Sequence, residues 1–278
     1  MTGLLKADFR RVLKDKLLMV MGILAVVFAL ITPLLYAAIF SGSVAVEGEM
    51  AAEMVSGFIS GKAQFFGSFS MGNNLGLIAP VLLAIALCKD FSFGTVRNKI
   101  IAGKSRTAIF LSLFITCSAV LIAVMLVHAF ITLGVSLMFF DYQPAEFTVS
   151  DFWYFVQSLA FDILMLLFVA ALLSWLCAGM KNVGLVIVLY IAISLFLVMA
   201  GSIVQVIVEV LEATGGNQRT IDLLRFLDRI NVGTAVSYIG MGTEYTLEDV
   251  LYLTIPACVG ILSFLGLGLW QFNKKDLK

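Results

Sequence analysis

Only a few residues in this chain have side chains and spacings that could do chemistry, and nucleotide hydrolysis is the first chemistry to test. Residues 98–105 read Asn-Lys-Ile-Ile-Ala-Gly-Lys-Ser. A phosphate-binding loop needs glycine at the first of these places, because its backbone amides must wrap the phosphates, and Asn98 stands there instead. No strand pattern precedes the segment and no apolar strand ending in a carboxylate follows it. Gly61-Lys62 has the wrong spacing altogether. The chain therefore reads as lacking an ATPase domain; if ATP drives it, another chain supplies the ATP site. Metal and protease chemistries fare no better. The chain has one histidine, His128, which excludes multi-histidine metal sites and the HExxH pattern. An intramembrane aspartyl protease needs two membrane aspartates, and only Asp162 is so placed. A Ser–His pair stays formally open on His128. The four cysteines, Cys88, Cys117, Cys177 and Cys258, lie in or beside apolar runs without a CxxC pair, as small thiols packed in helices do. The expectation is a protein without catalytic residues, metal or cofactor of its own.

The elements that hold these residues are set by composition. Of 278 residues, 61% are hydrophobic and 13% charged, against about 45–50% and about 25% in a soluble domain. Lipid must solvate most of that surface. A membrane helix needs about 20 apolar residues, and six stretches qualify, at 17–40, 65–88, 107–139, 152–178, 183–205 and 251–272. They are too long and unbroken for buried strands, and they lack the alternation of a lipid-facing barrel. The fold class read from sequence is all-α integral membrane, one transmembrane domain over 1–278. The first apolar run follows Lys6, Arg10, Arg11, Lys14 and Lys16 and is too long for a cleavable signal, so it is taken as the first span.

Charge placement orients the spans. Fourteen of the 18 Lys and Arg fall in the N-terminal segment, in 89–106, at Lys181 and in the C-terminal tail; Lys62, Arg219, Arg225 and Arg229 fall in the alternate loops. Cations favour the cytoplasmic side of a membrane, so both termini are expected in the cytoplasm. The opposite loops are acidic, with Glu47, Glu49 and Glu53, then Asp141, Glu146 and Asp151, then several between Glu209 and Asp249.

Four segments between or before the spans have character of their own. Residues 1–16 form an amphipathic helix, with Leu5, Phe9, Val12 and Leu13 at helical spacing among basic residues, suited to an anionic leaflet. The loop 41–70 carries a candidate short helix around Met50, Met54, Val55 and Phe58. The loop 206–250 is broken at Gly215 and Gly216, then repeats Ile221, Leu224, Leu227 and Ile230; a pair of short helices at the interface is expected. In 89–106, Phe91, Phe93, Val96, Ile100 and Ile101 interleave with Lys89, Asp90, Arg97, Lys99 and Lys104, giving either a docking helix or an ordinary basic loop.

The run Phe93-Gly94-Thr95-Val96-Arg97-Asn98, followed by Gly103 and Ser105-Arg106, resembles the signature of ABC-2 type transporter permeases between their second and third spans. The start, Leu5-Lys6-Ala7-Asp8-Phe9-Arg10-Arg11, is also similar to such permeases, as is the order of elbow helix, six spans and a long outer loop before the last. The detailed match covers about twenty residues. It departs at Cys88-Lys89, where an acidic residue is expected nearer the end of the second span, and Asp90 stands in that role. The resemblance implies that 89–106 is a coupling segment docking a separate ATP-binding cassette ATPase, which would bring ATP and Mg. It implies roles for Asp90, Phe91, Phe93, Gly94, Thr95, Arg97, Asn98 and Lys99, flanked by Arg10 and Arg11. It also implies a bacterial cell membrane location, a second copy of the permease in a two-plus-two complex, no nucleic acid, and export of amphipathic peptides, antibiotics or other lipophilic cargo, sometimes giving resistance. Asn73, Asn74, His128, Asp162, Tyr190 and Ser194 are candidates to line a substrate path, with helix packing as the alternative; Asp162 reads either as a structural hydrogen-bonding group or as a transport residue. The rival function is a non-transporting assembly or sensor subunit that docks a cytoplasmic partner.

Overall fold

A computed structural model describes residues 2–41, 60–70, 74–92, 94–140, 148–180, 182–240 and 245–274. These residues are helical apart from turns and short links, with no strand among them. The helices are α1 (Thr2–Val12), α2 (Lys16–Ser41), α3 (Gly61–Gly67), α4 (Asn74–Ser92), α5 (Thr95–Ile101), α6 (Arg106–Phe139), α7 (Val149–Gly179), α8 (Val183–Ala213), α9 (Gln218–Arg229), α10 (Val232–Tyr238) and α11 (Leu247–Lys274). Five of them, α2, α6, α7, α8 and α11, are each long and apolar enough to cross a bilayer, and α4 with α5 makes a sixth such unit bent by 47°.

These helices are apolar around most of their circumference, as expected where lipid rather than water is the surrounding solvent. The interior is built on α6 and α7, whose most apolar stretches are 61% and 67% buried, against 11% for α8 and α11. Helix α11 packs along α7, and α2 along α6, as the two most extensive pairs. Aromatic side chains fill the α7–α11 seam: Trp175 stacks on Phe264 at 5.3 Å between ring centres and Phe168 meets the same ring edge-on at 5.4 Å.

The stretch 65–88, expected as one span, is divided. Helix α3 ends at Gly67, Ser68 caps it, and α4 begins only at Asn74. The physical reason lies in Gly67, Ser68, Ser70, Gly72 and Asn73, a run of residues that favour turns over a helix interior. Phe65, Phe66 and Phe69 do not face lipid. They are buried, with Phe65 stacked on Phe155 at 5.7 Å and Phe66 edge-on to Tyr154 at 4.6 Å. Helix α4 has 19 residues, about 28 Å at 1.5 Å per residue, which nearly matches the ~30 Å hydrocarbon core.

Other boundaries shift as well. Helix α8 continues eight residues past the expected end at 205, to Ala213, before the glycine pair breaks it. The two short helices expected in 206–250 are α9 and α10, followed by α11 from Leu247. Helix α1 covers 2–12 of the expected 1–16, and Asp15 then accepts the Leu17 amide at 3.0 Å as α2 starts. The candidate helix around Met50, Met54, Val55 and Phe58 lies outside the described residues.

The division of 65–88 has a measurable consequence. Phe66→Ala in detergent-solubilised protein is expected to lower the unfolding free energy on the order of 3 kcal/mol, since it opens a cavity beside Tyr154. Leu77→Ala, on an exposed position of α4, is expected to change it by less than about 1 kcal/mol. Equal effects of the two in a denaturant titration would contradict the packing of α3.

Candidate functional site: the basic face at α1, α4 and α5

The segment between α4 and α6 is a tight helical hairpin. Gly94 stands at the N-cap of α5 with φ 72°, a left-handed conformation open to glycine at little cost. At the other end the Gly103 amide donates to Ile100 at 2.9 Å and the Lys104 amide to Lys99 at 3.1 Å. With Gly103 at φ 77°, that is the Schellman closure of a helix end. Ser105 then caps α6, its hydroxyl accepting the Ala108 amide at 3.3 Å. Arg106 reaches across to α11 and donates to the carbonyls of Phe272 at 3.2 Å and Asn273 at 2.8 Å. A cation thus closes a helix C-terminus, where carbonyls lack amide partners and the dipole is negative. Gly94, Gly103, Ser105 and Arg106 therefore have architectural work that accounts for their spacing.

Four charges lock this hairpin to α1. Asp8, buried on α1, accepts from Lys99 of α5 at 2.5 Å and from the Ser112 hydroxyl of α6 at 2.7 Å. One turn along, Arg11 pairs with Asp90 at the end of α4. Helix α1 buries Leu4, Asp8 and Val12 at four-residue spacing against the protein. Leu5 and Phe9 are left half-buried, and Leu13 is exposed. Burial pulls the Lys99 ammonium below its ordinary range, partly offset by the hydrogen bond and charge of Asp8. It acts likewise on Arg11, offset by Asp8 and Asp15. Desolvated charges of this kind hold geometry more than they add stability.

The expected site residues separate into two sets. Asp90, Lys99 and Arg11 face inward as the pairs just described, and Phe91 packs edge-on against Phe272 at 6.0 Å, so this ring is engaged within the chain. Arg97 and Asn98 on α5 are exposed with Ile101, which is 74% exposed, and Arg10 is exposed on α1. Thr95 opens α5 and is half-buried. Phe93 lies outside the described residues, as does Asn73, and of Asn74 only its place at the start of α4 is described. Asp8 and Ser112 were missed by sequence reading. The available signal was one acidic residue four places from both Leu4 and Val12 on an otherwise basic helix.

Within the spans, Tyr190 and Ser194 lie one turn apart on α8. The Tyr190 hydroxyl reaches the Gly76 carbonyl at 3.5 Å, an acceptor that Pro80 deprives of its helical amide. Asp162 on α7 and His128 on α6 line one small cavity with residues 68–70 and with Gly76, Ala79 and Pro80 of α4. At the opposite end of the bundle, Lys62 pairs with Asp151 and the Asp228 carboxylate holds Thr234 at 2.8 Å and Gln205 at 3.1 Å. Residues grouped by sequence as one charged face are grouped in space too: α1, α5, the start of α6 and the end of α11 share one end of the molecule.

The fold and these contacts define the class: an all-α, multi-pass membrane protein with five or six spans. Over residues 34–278 the chain matches the family described as protein of unknown function, DUF2705, and it belongs to that family. A comparison with curated proteins finds no match.

The buried pair between α1 and α5 predicts strong coupling. Asp8→Asn is expected to destabilise by about 3–5 kcal/mol by leaving Lys99 buried without its counter-charge. Adding Lys99→Met is expected to recover most of that loss. A double-mutant cycle in thermal or denaturant unfolding reads the difference, and strictly additive losses would show the pair does not act together.

Proposed function

We propose that this protein is the membrane-spanning permease subunit of a bacterial ATP-driven exporter, with a separate ATP-binding cassette ATPase docking on α5. The observation that carries the reading is the outward face of α5. Arg97, Asn98 and the highly exposed Ile101 project from a short helix whose other face is tied to α1 and packs with α4 and α6, the last of these joined to α11 through Arg106. A free helix face with an apolar residue beside a cation suits a groove in a soluble partner. Its rigid backing is what force transfer would need. The resemblance of 93–106 to the ABC-2 permease signature names that partner as an ATPase, which would bring ATP and Mg.

In this reading the basic end faces the cytoplasm, as the placement of fourteen cations favours. Helix α1 is the elbow helix, with Leu5, Phe9 and Leu13 toward the inner leaflet and Arg10 beside the docking surface. Two copies of the chain sit on two ATPases, and closure of the ATPase pair tilts α5 and the helices joined to it. Cargo is amphipathic or lipophilic, such as peptides or antibiotics. Phe91 takes a different part from the one the resemblance implies. Packed on Phe272, it transmits motion inward to α11 rather than anchoring the ATPase.

Two experiments test the reading. Co-expressed with the reading frames that flank its gene, the wild-type chain is expected to retain an ATP-binding cassette ATPase through purification. Phe93→Ala combined with Arg97→Ala is expected to weaken retention at least about tenfold, roughly 1.4 kcal/mol. Undiminished retention would refute docking through α5, and retention of a protein without ATPase motifs would favour the assembly or sensor role. An epitope inserted after Gly103 is expected to react with antibody only after cells are permeabilised; reaction on intact cells would invert the topology.

A further inference from the structure

The spans are nearly free of ionisable groups of the Asp, Glu, Lys, Arg and His types. None lies in 17–41, 76–88, 183–208 or 250–273, while 107–139 holds only His128 and 152–179 only Asp162. The fold brings these two to the same place. Asp162 lies 13 residues from the start of α7 and His128 lies 11 from the end of α6, about 20 Å and about 16 Å along helices that run in opposite directions. Both line the cavity between α4, α6 and α7.

Neither residue is satisfied. Asp162 is 1% exposed, and neither of its carboxyl oxygens has a hydrogen-bond partner among the described residues; His128 is 5% exposed, and its Nδ1 is likewise unpartnered. Polar groups nearby are committed elsewhere: Ser68 donates to Phe65 at 2.6 Å, Ser70 to Val236 at 3.2 Å, and Thr132 to the His128 carbonyl at 2.9 Å. Had Asp162 served as an ordinary structural hydrogen-bonding group, its oxygens would meet donors. An isolated buried carboxylate costs several kcal/mol, a cost relieved by a proton on the carboxyl and by a bound species that gives the oxygens and Nδ1 partners.

Size restricts what that species is. The cavity leaves about 20 Å³ for the centres of water molecules, room for one or a few waters. Water and a proton fit there. A protonated carboxyl is a donor and neutral Nδ1 an acceptor, while a carboxylate and an imidazolium N–H reverse the roles without changing net charge.

We propose that Asp162 and His128 form an intramembrane proton-binding site, sharing one proton through a single bridging water. In the exchange, the Asp162 O–H bond breaks toward the water as a water O–H bond breaks toward His128 Nδ1. Carboxylate, imidazolium and an unchanged water result, and the reverse step restores the start. Uptake of a further proton from aqueous solution gives a protonated carboxyl beside an imidazolium, so occupancy of the site responds to pH. The surrounding elements bring little to compete with the pair. Helix α4 presents Gly76, Ala79 and Pro80, and α8 presents Tyr190, whose hydroxyl is directed to Gly76. Helix α11 is uncharged from Val250 to Asn273. The Lys62–Asp151 ion pair sits 11 residues back from Asp162 along α7, about 17 Å along the helix axis. The site is independent of ATPase docking, since it shares no residue with α5.

Infrared difference spectra of the full-length protein in lipid nanodiscs, taken between acidic and alkaline buffer, test this directly. The wild type is expected to show a carboxyl C=O band that titrates and is absent from Asp162→Asn. In His128→Gln its midpoint should move by at least about one pH unit. Gel filtration and circular dichroism check that each variant is folded. Should Asp162→Asn fail that check, Asp162→Glu in protein grown with isotope-labelled aspartate gives the same answer: the titrating band loses its isotope shift. The proposal is overturned if Asp162 contributes no titrating band, or if removal of the imidazole leaves the midpoint where it was.

Discussion

Lipid offers no hydrogen bonds, so each backbone amide and carbonyl within the bilayer must find its partner inside the chain. That requirement governs where this protein's helices stop and what closes them. Helix α3 ends on Ser68, α5 on the Gly103 turn, and α11 on the guanidinium of Arg106. Even the carbonyl released by Pro80 within α4 has the Tyr190 hydroxyl directed at it. Among the described residues, the irregular backbone at Ser68 and Phe69 is enclosed by protein.

Buried charge follows the same logic at a higher cost. Asp8, Asp90 and Lys99 are largely withdrawn from water at one end of the molecule, Arg11 only partly, and each faces an opposite charge. The hydrophobic effect does little to drive helices together in lipid, where packing and polar contacts carry the specificity. A set of paired charges at the end of the bundle therefore acts as a register mark: α1 fits in one position only, with Leu4 and Val12 on either side of the aspartate.

How much of this was legible in the sequence depends on which force left a mark there. Long apolar runs reveal spans, and α6 and α7 lie within a few residues of their expected bounds because nothing interrupts 107–139 or 152–178. The division at 67–74 was hidden because Phe65, Phe66 and Phe69 extend an apolar run whether they face lipid or protein, and hydropathy does not separate the two. For the candidate site, periodicity marked Arg97 and Ile101 on a short basic helix, but not that Phe91 would turn onto Phe272. Asp8 was visible as a residue and silent as a partner, since a contact 91 residues distant in sequence leaves no local pattern. His128 and Asp162 stood out by type, yet only the antiparallel crossing of α6 and α7 sets them on one cavity.

Arg106 has one more implication. By gripping the last carbonyls of α11 while α5 grips α1, the residues around it fasten α1 and α11 to the same small hairpin. A rocking motion of that hairpin is thus shared by the first and last helices of the chain at once, as two guy-lines share the sway of one mast, although more than two hundred residues separate them along the backbone.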